Sequence, residues 1–196
     1  LFLFLFCAAA GGVAEEALRT DTFFWDEISS DHFTIIHSGS MIQKAREAAF
    51  YLEKGYERLA AAYGINIKEK IPVVLFYSRN AFEQNNILGG AVPEGLQAFA
   101  ETYKNRIVLP VNPSKREFKY ILDHELTHIF QFASLFPRRI PSFYLIRAPF
   151  YPEWFMEGHA EYESDRRTSR TAMIIRDLAI DGKLKPMYKL FGFSHL

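Results

Sequence analysis

Residues 123–132, DHELTHIFQF, place His124 and His128 four positions apart with Glu125 directly after the first histidine. Successive residues of a helix turn by about 100°, so the two histidines share one face about 40° apart, and Glu125 flanks them. Two imidazoles one turn apart can hold a single metal ion. The surrounding run FKYILDHELTHIFQFASLF (118–136) is apolar on nearly every side, which predicts a buried helix from about 115 to 135. Three polar side chains without partners in such a helix would cost several kcal/mol. A metal with a water nucleophile accounts for them; a packing role does not.

Outward from this helix the chain reads as α+β. HFTIIHS (32–38) alternates and is rich in β-branched residues, so it is expected as a strand. SMIQKAREAAFYLEKGYERLAAAYG (40–64) has helical period, with Ser40 as N-cap and Gly64 just past its end. IPVVLFYS (71–78) fits a buried strand, and NAFEQNNI (80–87) one or two helical turns before LGGAVPEG. LQAFAETYKNRIVLPV (96–111) reads as a hairpin with its turn near YKN. APFYPEWFMEGHAEYESDRR (148–167) supplies a second helix with Pro152 near its first turn, and a last helix covers roughly 168–182, ending at DGK. No repeat or low-complexity segment interrupts this order, and one domain is expected.

Composition narrows the function classes. The chain has 196 residues, 49% hydrophobic and 16% aromatic, enough for one domain with a sizeable core. Lys+Arg and Asp+Glu both number 23, so no net charge attracts nucleic acid, and no basic run does so locally. Three arginines in FPRRIPSFYLIRAP (136–149) read as part of a solvated loop. The opening LFLFLFCAAAGGVAEE resembles the apolar core and cleavage region of a secretory leader, so residues 1–14 are expected to be its remnant and the protein to be exported. An uncleaved leader would act as a membrane anchor, the one route to membrane association. Cys7 is the only cysteine, so a chain cut after it has no thiolate ligand, disulfide or cysteine nucleophile.

A catalytic zinc site needs three protein ligands and an open position for water. The run after His128 lacks a third histidine at short spacing, so the third ligand must come from elsewhere. PEWFMEGHAEY (152–162) resembles the WxxEGxAEY element of gluzincin peptidases. With the HELTH motif upstream, the stretch from about residue 30 to 182 resembles the peptidase MA-like gluzincins, the superfamily of thermolysin and the aminopeptidase N group, in a minimal single-domain form. The resemblance implies a zincin-like fold, in which a small mixed sheet packs on the HExxH helix and a second helix brings the third ligand. It implies Zn2+ held by His124, His128 and Glu157, with Glu125 as the general base and acid of metal-assisted peptide hydrolysis. The spacing to Glu157 is longer than in the aminopeptidases, and the thermolysin-type NExxSD element is not reproduced, so end specificity does not follow.

Glu161, one turn after Glu157, can accept the outer N–H of a ligating histidine, as an acidic residue does in relatives. His159, two positions after Glu157, points nearly opposite and is not expected as a ligand. Tyr144, Tyr151 and Tyr162 all stay open as the oxyanion donor. NRIVLPV (105–111) is the expected exposed strand for pairing with an extended substrate, which favours peptides and endopeptidase action. In similar exported proteins a TolB-like β-propeller follows such a domain, and residues 15–196 are expected to be the peptidase domain of a longer chain. The alternative is a catalytically inert peptidase-like module that serves as a binding domain.

Overall fold

The computed structural model describes residues 25–85, 87, 92, 95–101, 104–135, 152–164 and 169–186. Five strands form one sheet: β1 (Trp25–Ser29), β2 (Phe33–Ser38), β3 (Ile71–Phe76), β4 (Phe99–Glu101) and β5 (Arg106–Pro110). They lie in the order β1-β2-β3-β5-β4. The inner three run parallel, and β1 and β4 pair antiparallel at the two edges. Five α-helices accompany them among the described residues: α1 (Ile42–Tyr63), α2 (Arg79–Glu83), α3 (Lys115–Leu135), α4 (Glu153–Glu163) and α5 (Ser169–Ile180). The α+β class with a mixed sheet is as expected.

Strand alternation sorts the core into two clusters. Phe33, Ile35, Ile71, Val73, Leu75, Ile107 and Leu109 pack with the apolar residues of α1 and α3. Val74, Phe76, Phe99 and Val108 instead meet Ala81 and Phe82 of α2. Parallel neighbours need a crossover, and α1 provides it between β2 and β3. Its buried residues Ala45, Ala48, Leu52, Gly55, Tyr56 and Leu59 recur every three or four positions, the spacing of one helix face. That face meets α3 so closely at Gly55 that a Cβ there would lie 2.7 Å from Asp123 Oδ1. The helix ends at Gly64, in the left-handed conformation at φ 65°, as the sequence led one to expect. Tyr56 then ties the connection to β3, accepting the Ile67 N–H at 2.8 Å and donating to its carbonyl at 3.1 Å.

Three expectations need correction. Residues Gly39–Met41 form a 3-10 turn and α1 begins at Ile42, so Ser40 is an exposed turn residue and not the N-cap. Burial of Met41 and Ala45 decides where that helix engages the core. β1 was not foreseen: WDEIS is a polar edge strand in which only Trp25 and Ile28 are half-buried, too few to show an alternation. Most importantly, β5 is not an exposed strand. The hairpin turns outward, so β5 is paired on both sides by β3 and β4, and the sheet edge near α3 belongs to β4.

The leader-like residues 1–14, the arginine-bearing loop 136–149, and Tyr144 and Tyr151 lie outside the described residues. No helix among the described residues is long and apolar enough to cross a membrane.

Candidate metal centre

Helix α3 starts where the sequence indicates. Asn112 Oδ1 accepts the Ser114 N–H at 2.9 Å, and Ser114 Oγ accepts that of Glu117 at 3.3 Å, the pattern of an N-cap. From Tyr120 to Phe132 every residue is buried. A helix packed this deeply against α1, α4 and the sheet has its rotation fixed by that packing. His124, Glu125 and His128 are therefore held with 0%, 2% and 4% of their surface exposed.

Helix α4 approaches from the other side. Pro152 caps it in extended conformation, and Met156 and Ala160 are its buried apolar residues, with Met156 beside Phe132 of α3. One turn of this contact brings Glu157 to the two histidines. Its Oε2 lies 3.3 Å from His124 Nε2 and its Oε1 3.6 Å from His128 Nε2, while the two Nε2 atoms are 3.2 Å apart. Glu157 Oε2 is buried and accepts no hydrogen bond. His124, His128 and Glu157 thus form a group that could hold a metal ion. Ligands bound tetrahedrally at about 2.1 Å are spaced by roughly 3.4 Å, so the observed separations fit one zinc-sized ion.

The electrostatics of the metal-free site are those of a place that wants a cation. Burial, then the nearby charge of Glu157, hold the Glu125 carboxyl well above the usual carboxylate range, and a hydrogen bond from the Ala100 backbone only partly offsets them. Burial also raises Glu157; His128 lowers it and Glu161 adds to the rise. For His128 burial and neighbouring His124 push the imidazole down to about 4, so it stays neutral and keeps its lone pair. A bound cation reverses the sign of the carboxylate problem, because it stabilises the charged forms.

The remaining residues sort as follows. Glu161 accepts a 2.8 Å hydrogen bond from the Tyr120 hydroxyl, and the Tyr120 ring lies 5.7 Å from that of His124. His159 stands apart from the group that could hold a metal: its Nδ1 is 3.1 Å from the Tyr63 hydroxyl and 3.3 Å from Gln131 Nε2, and its Nε2 is 3.8 Å from Glu163. Glu163 also pairs with Arg58 of α1. Tyr162 is 61% exposed.

Two residues escaped the sequence reading. Gln131 is buried and reaches both sides of the site: its Oε1 is 2.8 Å from His128 Nδ1, and its Nε2 donates to the Met156 carbonyl at 2.9 Å. Tyr120 links Glu161 to α3. Both lie one turn from a histidine of the metal-capable group, Tyr120 four before His124 and Gln131 three after His128, and that helical spacing was the available signal.

Comparison of the chain with protein-family models, with curated proteins and with solved structures returns no match in any of the three.

Proposed function

We infer that the protein is a zinc-dependent hydrolase of peptide bonds, of the gluzincin type, with an endopeptidase's use of extended substrates. The observation that carries this reading is the placement of Glu125. Its buried carboxylate adjoins the metal-capable group and at the same time accepts a hydrogen bond from the backbone of Ala100 on edge strand β4. A metal-capable group, a buried carboxyl and a strand edge thereby lie together, as this reading requires.

His124, His128 and Glu157 would hold the ion. When bound, zinc polarises a carbonyl and makes a water acidic enough to attack near neutral pH. The chain's own part is proton handling and positioning. Glu125 takes the proton of the attacking water and delivers it to the leaving amine, a task for which its carboxyl lies beside the metal-capable group. Among the described residues β4 is paired only by β5, so its outer edge can add an extended peptide as a further strand. Backbone pairing of that kind selects peptides and proteins over small esters. The leader-like residues 1–14 support an exported location.

The test is cleavage of a denatured-protein mixture with fragment masses read out, in zinc and after chelation, beside Glu125→Gln. Zinc-dependent fragments absent from the variant are expected. Identical results for the two proteins, with zinc bound in both, would leave an inert peptidase-like binding module as the reading.

A further inference from the structure

Gln131 is a neutral amide buried to 3% exposure on α3, three residues after His128. Its orientation follows from chemistry. The Met156 carbonyl only accepts, so the Gln131 atom 2.9 Å away must be the nitrogen, and the oxygen is turned toward His128 Nδ1 at 2.8 Å. An amide oxygen only accepts too, so the proton of the neutral His128 imidazole must be on Nδ1. Nε2 is then a bare lone pair, aimed at Glu157 Oε1 and His124 Nε2. The second amide hydrogen has His159 Nδ1 at 3.3 Å. One side chain thus sets the state of a ligand on α3 and grips α4 at the carbonyl immediately before Glu157.

We propose that Gln131 is a positioning residue that fixes the metal-binding tautomer of His128 with its oxygen and the register of the Glu157 helix with its nitrogen. The inference rests on the metal-centre reading above, but not on the protein being an active peptidase. Among the described residues the other grips on helix α4 lie at or beyond Glu157 or are apolar: Met156 and Ala160 are its buried apolar residues, Tyr63 meets His159, Tyr120 meets Glu161, and Arg58 pairs with Glu163. An apolar contact permits sliding along α3, whereas a hydrogen bond to one particular carbonyl does not. Losing an outer partner of a ligating histidine characteristically weakens metal binding about 10–100-fold.

The direct test needs no variant. Nitrogen-15 NMR of the imidazoles in the metal-free protein near neutral pH distinguishes the two tautomers, and His128 should be the Nδ1–H form. An Nε2–H form in the folded wild-type chain overturns the proposal, whatever the protein cleaves. Gln131→Met keeps length but removes both bonds: zinc, titrated against a chromophoric chelator, should bind about 10–100-fold more weakly, and the His128 tautomer should become mixed. Gln131→Glu restores an acceptor to Nδ1 without a donor for Met156, so the tautomer should return to Nδ1–H. Unchanged zinc affinity in a folded Gln131→Met, or a tautomer in Gln131→Glu no different from it, also overturns the proposal. If Gln131→Met does not fold, the wild-type tautomer decides alone. Cleavage activity with an Nε2–H His128 would sink this inference and leave the peptidase reading standing; a fixed Nδ1–H tautomer in a chain without activity would do the reverse.

Discussion

Helices α3 and α4 serve one site from opposite conditions. Each residue of α3 from Tyr120 to Phe132 is buried, so the positions of His124 and His128 are consequences of the core itself. On α4 only Met156, Ala160 and the Ser164 that follows are buried among described side chains, and Phe155 and Tyr162 face water. Its member of the metal-capable group, Glu157, is placed by a short apolar contact and by hydrogen bonds of its helix to Gln131 and Tyr120. The difference teaches that the two histidines cannot be moved without disturbing the fold, whereas Glu157 can. A metal bound between the helices would be the strongest link that α4 has to the rest of the molecule.

The largest expected effect is therefore common to both helices, and its side effects are not. His124→Ala, His128→Ala and Glu157→Ala should each abolish tight zinc binding, measured by metal analysis after gel filtration. Metal-free stability should separate them. The histidine variants leave cavities in a closed core and should lose about 1–3 kcal/mol, while Glu157→Ala removes a carboxylate that burial makes costly and should lose little or nothing. Equal losses in denaturant titrations would break the comparison.

Next in size is the proposed general base. Glu125→Gln should retain zinc and lower turnover by about 10²–10⁴-fold, since the amide preserves size but cannot accept and release a proton near neutral pH. Near-native cleavage would move the base elsewhere. The same variant carries a pH signature. Glu125 is raised in the folded metal-free chain, so the folded state holds its proton above the ordinary glutamate value of 4.5, where the unfolded chain has lost it. Stability must then fall as pH rises from that value toward the folded pKa. Metal-free Glu125→Gln should lack this decline and be the more stable protein at neutral pH.

A smaller loss is expected on α4. Glu161 holds the Tyr120 hydroxyl, whose ring lies against His124, so Glu161→Gln should weaken zinc about 10–100-fold with the fold intact. A loss as severe as that of Glu157→Ala would make Glu161 a ligand, and no change would reduce it to a surface residue.

The smallest effects sharpen the comparison most cleanly, because one substitution applies to both environments. Gly55→Ala pushes a methyl to 2.7 Å from Asp123 Oδ1 and 3.1 Å from Leu126 Cδ2 of α3, and should cost about 1–3 kcal/mol. Gly158→Ala, next to Glu157, meets nothing within 4 Å and should stabilise α4 by about 0.5–1 kcal/mol, the difference in helix propensity. Thermal melts of the metal-free proteins should move in opposite directions. A shared direction would mean that α4 is packed as tightly as α3.

What the sequence determined by itself is local in origin. The i, i+4 spacing of His124 and His128 is a property of any helix, and the apolar run around them set the bounds of α3 at Lys115–Leu135 without reference to the rest of the chain. Gly64 ends α1 for a reason contained in its own backbone, and Pro152 marks the start of α4 in the same way. Glu157 was legible only because its neighbours spell a known motif; nothing in its spacing requires it to meet the histidines. The tertiary structure decided what depends on partners far along the chain. Gln131 meets Met156 across 25 residues, and Tyr120 meets Glu161 across 41. β5 became an inner strand because its hairpin partner folded to the outside, a choice made by which faces of β4 and α3 could be buried together and not by the residues of β5. Helical periodicity constrains neighbours within a turn, whereas burial and polar pairing constrain whichever residues the packed layers bring together.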